Sequence, residues 1–252
     1  MHPNLFVLGA GKCGTTSLYH LLERHPDIHV CDPKEPSFFC SHFQVVRNPV
    51  DYFRLFDSDA RYRVDASHVY FSNPETAPIL RDLFPEARFL IILRQPKARA
   101  YSLYEHLRRS LHEDGRPMEL APTFLDALCM EGERFHSRRF FSECRHYFWN
   151  FMYMRSSFYD EQLARYFSLF ARDRFLVMSL AAFEHQPQRT VQSIADFLEV
   201  DVAGFGNQVP VANVAPPYPP FGAECDTIME AHFSDLTARV DRLVGHSLDW
   251  SR

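Results

Sequence analysis

The chain has 252 residues, 46% of them hydrophobic, and a formal net charge of −5. That length and apolar fraction suit one large α/β domain over 1–252, and the acidic balance excludes a general nucleic-acid binder. No apolar run approaches the roughly 20 residues of a membrane span, and no basic-then-apolar leader opens the chain. The six cysteines, Cys13, Cys31, Cys40, Cys129, Cys144 and Cys225, are scattered without a close pair. They predict reduced thiols, no zinc site and a cytoplasmic location.

The chain opens on its most informative stretch, LFVLGAGKCGTTSLYHLL from Leu5 to Leu22. The run Leu5–Leu8 is long enough for a short buried strand. A loop with Gly9, Gly11 and Gly14 follows, and Thr15-Thr16-Ser17 start a helical pattern that ends before Pro26. Strand, glycine loop and helix start together make an anion site, because backbone N–H groups and the positive end of the helix dipole face the same place. Gly9, four residues and Gly14 is the spacing of a phosphate loop. In the triphosphatase form a lysine follows the last glycine; Thr15 stands there instead, and Lys12 inside the loop is its one cation. A bare glycine turn without a ligand is the competing reading of this segment.

Residues 27–30 read as a strand, 31–36 as a turn, and the segment through Phe56 as short helices and loops. A strand is expected at 61–67, ending in Asp65-Ala66-Ser67-His68, and a helix at 74–84. RFLIIL, Arg88–Leu93, is the strongest strand, apolar on both faces as in the centre of a parallel sheet. Arg94 follows at its end, and a helix runs on to about Leu111. Residues 112–123 read as a loop, 124–155 as helical and rich in aromatics, more core than pocket. A helix at 158–171, a strand at 174–180, a helix at 187–198, an irregular proline-rich stretch at 204–222 and one amphipathic helix at 224–244 complete the chain. Alternating strands and helices predict a three-layer α/β fold, a parallel sheet with helices on both faces.

Arg94 at a strand's carboxyl end, with Ser102 eight residues on, is the second constellation. Ligands of open parallel sheets bind at that edge, and a guanidinium there presents a planar fork to a phosphate. A triphosphatase often places a magnesium-binding acid at a comparable strand end. Arginine there suggests a second phosphate bound without metal, although Asp65 could serve a metal instead. Half of the chain's positive charge lies between Arg94 and Arg174, with 14 basic against 11 acidic residues.

GAGKCGTTSL, PKEPSFF and RFLIILRQPKARAYSLYEHL, in this order, resemble the sulfotransferases that use 3′-phosphoadenosine 5′-phosphosulfate (PAPS). The likeness is to their carbohydrate branch, which includes heparan sulfate N- and O-sulfotransferases and bacterial relatives. It implies a P-loop nucleotide-hydrolase-like fold and transfer of a sulfuryl group to a hydroxyl or amine of a carbohydrate or small-molecule acceptor. The product would be adenosine 3′,5′-bisphosphate (PAP), with no metal. By the resemblance, Gly11, Lys12, Cys13, Gly14, Thr15, Thr16 and Ser17 hold the 5′-phosphosulfate. Arg94 and Ser102 hold the 3′-phosphate with Tyr159 near it, and Glu35 is the base. Two departures stand out. Val209–Phe221 holds no lysine or arginine around Tyr218-Pro219-Pro220, where relatives carry basic residues. Asp65-Ala66-Ser67-His68 replaces a frequent Glu-Lys-Ser-Pro, which makes His68 a rival base. The other readings are a P-loop kinase using ATP and magnesium, and a non-catalytic nucleotide-binding relative.

Overall fold

A computed structural model describes residues 1–206, 208, 210 and 220–251. Five strands, β1 (Leu5–Gly9), β2 (Ile28–Val30), β3 (Tyr62–Asp65), β4 (Arg88–Leu93) and β5 (Phe175–Ser179), form one sheet in the order β2-β3-β1-β4-β5. Every pairing is parallel. Among the described residues the helices are α1 (Thr15–Leu22), α2 (Pro49–Arg54), α3 (Val69–Ser72), α4 (Thr76–Leu83), α5 (Pro96–Arg109) and α6 (Phe124–His136). After them come α7 (Arg138–Glu143), α8 (Tyr159–Phe167), α9 (Leu180–His185), α10 (Pro187–Leu198), α11 (Ala223–Phe233) and α12 (Leu236–Val244). Among these helices none is long and apolar enough to cross a membrane.

The strands stand where the apolar runs place them. All of β1 and the FLIIL portion of β4 are buried, because these two strands lie side by side in the interior of the sheet with neighbours on both edges. Each such side chain contributes about 1.5–3 kcal/mol on leaving water. The aromatic stretch joins the same core: Tyr147, Phe148, Phe151 and Tyr153 are buried, whereas Phe141 is exposed.

Two expectations about the helices are corrected. The stretch 124–155 is α6, the short α7 and two 3-10 turns at Phe148–Phe151 and Arg155–Ser157. The expected closing helix is two helices, α11 and α12, parted at Ser234-Asp235, residue types whose side chains compete for backbone hydrogen bonds. Both halves still bury apolar residues, Phe233 on one and Leu236 and Val240 on the other. The four-residue helix α3 is too short to leave a periodic signal. The proline motif Tyr218-Pro219-Pro220 lies outside the described residues except for Pro220.

The end of β3 is held by a buried carboxylate. Asp65 is 0% exposed, and Tyr52 and Tyr70 donate their hydroxyls to its Oδ2 at 2.8 and 3.0 Å. Ser67 donates its amide and its hydroxyl to Oδ1 at 3.0 and 2.6 Å. Two donors on each oxygen fill the acceptor capacity of a carboxylate. Asp65 therefore has no lone pair left for a metal, which corrects that expectation. Asp65→Ala should lower stability by about 3 kcal/mol or more, since several buried donors lose their acceptor at once. Tyr52→Phe, which leaves three donors in place, should cost about 1 kcal/mol. Urea unfolding of both variants checks this, and equal losses would contradict a shared hub.

Candidate active site

The sheet order assembles the site. β1 lies between β3 and β4, so the glycine loop after β1 emerges between the segment after β3 and the segment after β4. His68 and Arg94 therefore flank the loop on opposite sides, at the carboxyl edge where the chain's strand order reverses.

The loop's shape follows from its glycines. Gly14 has φ 88°, and a Cβ there would lie 2.7 Å from Leu180 Cδ1. Gly14 is also the N-cap of α1, and among the described residues no side chain caps that helix. A helix start of this kind, following a glycine loop, is suited to an anion. Lys12 adopts φ 70°, in the left-handed region where a non-glycine residue is strained. Burial, and after it the neighbouring Arg94, pushes its amine below the ordinary lysine range. The Nε of Arg94 is buried with no hydrogen-bond partner. Among the described residues neither cation makes an ion pair, an arrangement that suits a bound anion. Ser102 on α5 is 3% exposed, and Thr15 and Ser17 are buried at the start of α1.

The opposite flank holds a carboxylate–imidazole pair. Glu35 and Ser37 have φ 63° and 53°, a bent segment anchored where the Ser37 amide donates to Ser67 Oγ at 2.9 Å. Ser67 is itself held by Asp65, and His68 is the next residue. The two loops thereby place Glu35 Oε2 2.9 Å from His68 Nδ1. Lys34 pairs with the other oxygen, Glu35 Oε1. Burial pushes the Glu35 carboxyl upward, but His68 and then Lys34 outweigh it and hold the group well below the usual carboxylate range. The other edge of the His68 ring lies on the loop: a Cβ on Gly11 would stand 2.7 Å from its Cδ2 and 3.0 Å from its Nε2. Glycine at position 11 is what lets the imidazole approach the loop backbone.

Lys12, Glu35, His68 and Arg94 thus converge with the loop residues, but Tyr159 faces another way. It is fully buried, and its hydroxyl lies 3.9 Å from Cys13 Sγ, against the inner side of the loop. Burial pushes the Cys13 thiol up, so it is a neutral packing group. Two contributors escaped the sequence reading. Lys34 occupies one oxygen of the expected base. Arg99 donates from Nε to the Gly11 carbonyl at 3.1 Å; its signal was an arginine at i−4 and i−8 from Leu103 and Leu107, on the apolar face of α5. Elsewhere, Cys40, His42 and Glu75 offer potential ligand atoms within 4.8 Å of one another. The sulfur is nearly equidistant from both ring nitrogens, 3.6 and 3.8 Å. A shared metal would sit in line with one nitrogen and bring the sulfur much closer to it than to the other.

The description "Sulfotransferase domain" fits a family model that matches residues 2–211. The bifunctional heparan sulfate N-deacetylase/N-sulfotransferase 1 of Mus musculus is 27% identical over 209 residues, 79% of this chain and 22% of that protein. Its Caenorhabditis elegans counterpart is 23% identical over 202 residues, with the same shares. The chain thus spans about a fifth of the length of these curated relatives. A crystal structure of a sulfotransferase from Alicyclobacillus acidocaldarius superposes with a TM-score of 0.81 at 31% identity, covering 100% of both chains. A mouse sulfotransferase complexed with PAP shares the fold at 15% identity and a TM-score of 0.61, over 96% of this chain and 87% of that one. Loop, strand order and family model agree, and the chain belongs to the sulfotransferase domain family.

Proposed function

We propose that the chain transfers a sulfuryl group from PAPS to a hydroxyl or amine of a carbohydrate or small-molecule acceptor. One observation carries this reading: a glycine loop with Lys12 and Arg94, neither in an ion pair among the described residues, faces a Glu35–His68 pair on the other side. The residues fit such a donor, since the orphaned Nε of Arg94 calls for an anion and the start of α1, with glycine as its N-cap, turns a positive dipole end to the loop. The donor supplies a sulfuryl group on its 5′-phosphate and a 3′-phosphate as a handle. Gly14, Thr15, Thr16 and Ser17 hold the 5′ end, and Arg94 with Ser102 holds the 3′-phosphate. Cys13 and Tyr159 support the loop from behind. Lys12, partly desolvated in the loop, meets the negative charge that develops on the leaving phosphate oxygen.

The acceptor loses a proton as it attacks, and Glu35 and His68 take it as one unit. Glu35 has both oxygens committed, to Lys34 and to His68, and its depressed pKa makes it a weak base. His68 presents its Nε2 edge to the loop, so Nε2 accepts the proton while Glu35 fixes the ring and stabilises the imidazolium. A kinase reading is disfavoured by the saturated Asp65 and by Thr15 in place of the loop lysine. The acceptor itself, and a location in the cytoplasm, belong to the proposal.

Thermal stabilisation by PAP, but not by ATP with magnesium, tests the donor class. Arg94→Ala should weaken PAP by about 10- to 150-fold, the loss of one charge-assisted phosphate contact. Adenosine 5′-phosphate, which lacks the 3′-phosphate, should change little in calorimetry; equal losses would remove Arg94 from that role.

For the base, His68→Ala should reduce transfer by about 10²–10⁴-fold, with PAP affinity retained. In an acceptor screen read by PAP release, the double variant Glu35→Gln/His68→Ala should be no slower than His68→Ala alone, because residues acting as one unit are not additive. Multiplying losses would mean that Glu35 accepts the proton independently.

A further inference from the structure

Arg99 lies on α5 between Arg94 and Ser102, yet it turns into the protein. It is 2% exposed. Its Nε donates to the Gly11 carbonyl at 3.1 Å, and its Nη1 to Ser156 Oγ and Ser157 Oγ at 2.5 and 3.0 Å. All these acceptors are neutral, and among the described residues no carboxylate pairs with it. A buried guanidinium without a counter-charge is expensive compared with an apolar side chain of similar volume. A merely structural link between α5 and the turn at Arg155–Ser157 would not require a charge.

The carbonyl that Arg99 holds belongs to the Gly11–Lys12 peptide. In a planar trans peptide the N–H points opposite to the C=O. Fixing the Gly11 oxygen from inside therefore turns the Lys12 amide toward the open face of the loop. The peptide is gripped from both sides, by Arg99 at its carbonyl and by the His68 ring against Gly11 Cα. The guanidinium also adds a third uncompensated cation, with Lys12 and Arg94, to the field in which the loop lies. We infer that Arg99 is a positioning residue of the 5′-phosphate site, holding the Gly11–Lys12 peptide so that its amide and the Lys12 side chain meet the donor. This rests on the proposed donor, and it assigns Arg99 to the 5′ end, whereas Arg94 is assigned to the 3′ end.

The test compares PAP with adenosine 3′-phosphate, which lacks the group that the loop would grip. In calorimetry, Arg99→Ala should weaken PAP by about 10- to 100-fold and leave adenosine 3′-phosphate nearly unchanged. Millimolar guanidinium should restore part of the PAP affinity. A structural prop alone would weaken both ligands alike and would not respond to guanidinium, and that result overturns the inference. If Arg99→Ala does not fold, Ser156→Ala/Ser157→Ala decides the matter, since it unfastens the guanidinium and keeps its charge. A loss confined to PAP upholds the assignment, and equal losses or none refute it. Failure of the unaltered protein to bind PAP at all would instead refute the proposed donor.

Discussion

The Asp65 carboxylate is the interaction on which the rest of the site depends. Burial pushes its pKa up, and the hydrogen bonds from Ser67, Tyr52 and Tyr70 oppose that push. A buried acid of this kind contributes little net stability compared with apolar packing. What it provides is direction. It fixes Ser67 by two bonds, Ser67 fixes the Ser37 amide, and the two loops carrying His68 and Glu35 are brought to one point. Without that hub, a residue on a bent loop after β2 and a residue after β3 would have no reason to meet at hydrogen-bond distance.

Charge is sorted across the glycine loop. On the β4 side Lys12, Arg94 and Arg99 stand without carboxylate partners among the described residues, and their mutual repulsion and burial are tolerated in the free protein. On the β3 side Glu35 is saturated by Lys34 and His68. The first arrangement leaves positive charge uncompensated, and the second binds its carboxylate on both oxygens. A fold optimised only for stability would have paired the cations with acids, and the strained φ of Lys12 and Glu35 points the same way.

The family's structural frame is shared at very different levels of sequence likeness, from the Alicyclobacillus acidocaldarius protein to the mouse protein. A frame of this kind is set by β1 and β4 in the sheet interior and by the loop between β1 and α1. The Glu35 and His68 flank is built from less regular segments, a bent loop after β2 and the turn after β3.

By itself the sequence determined the features that are local or periodic. The apolar runs of β1 and β4, the Gly9–Gly14 loop, the helix after it and Arg94 at a strand end are each readable within some ten residues, because strand pairing and helix packing impose short periods. Contacts between segments carry no such period. Glu35 and His68 are 33 positions apart, and Arg99 and Gly11 are 88 apart. Their meeting depends on β3 and β4 flanking β1, an order unlike that of the chain, and on hydrogen bonds that any serine or tyrosine could have made elsewhere. The same holds for Tyr159, whose motif placed it at the site but whose burial turned its hydroxyl to the back of the loop. The glycine loop was thus decided locally, and the Glu35–His68 pair and the Arg99 contact behind the loop only by the tertiary structure, because a carboxylate or guanidinium takes its character from the groups that desolvate and pair it.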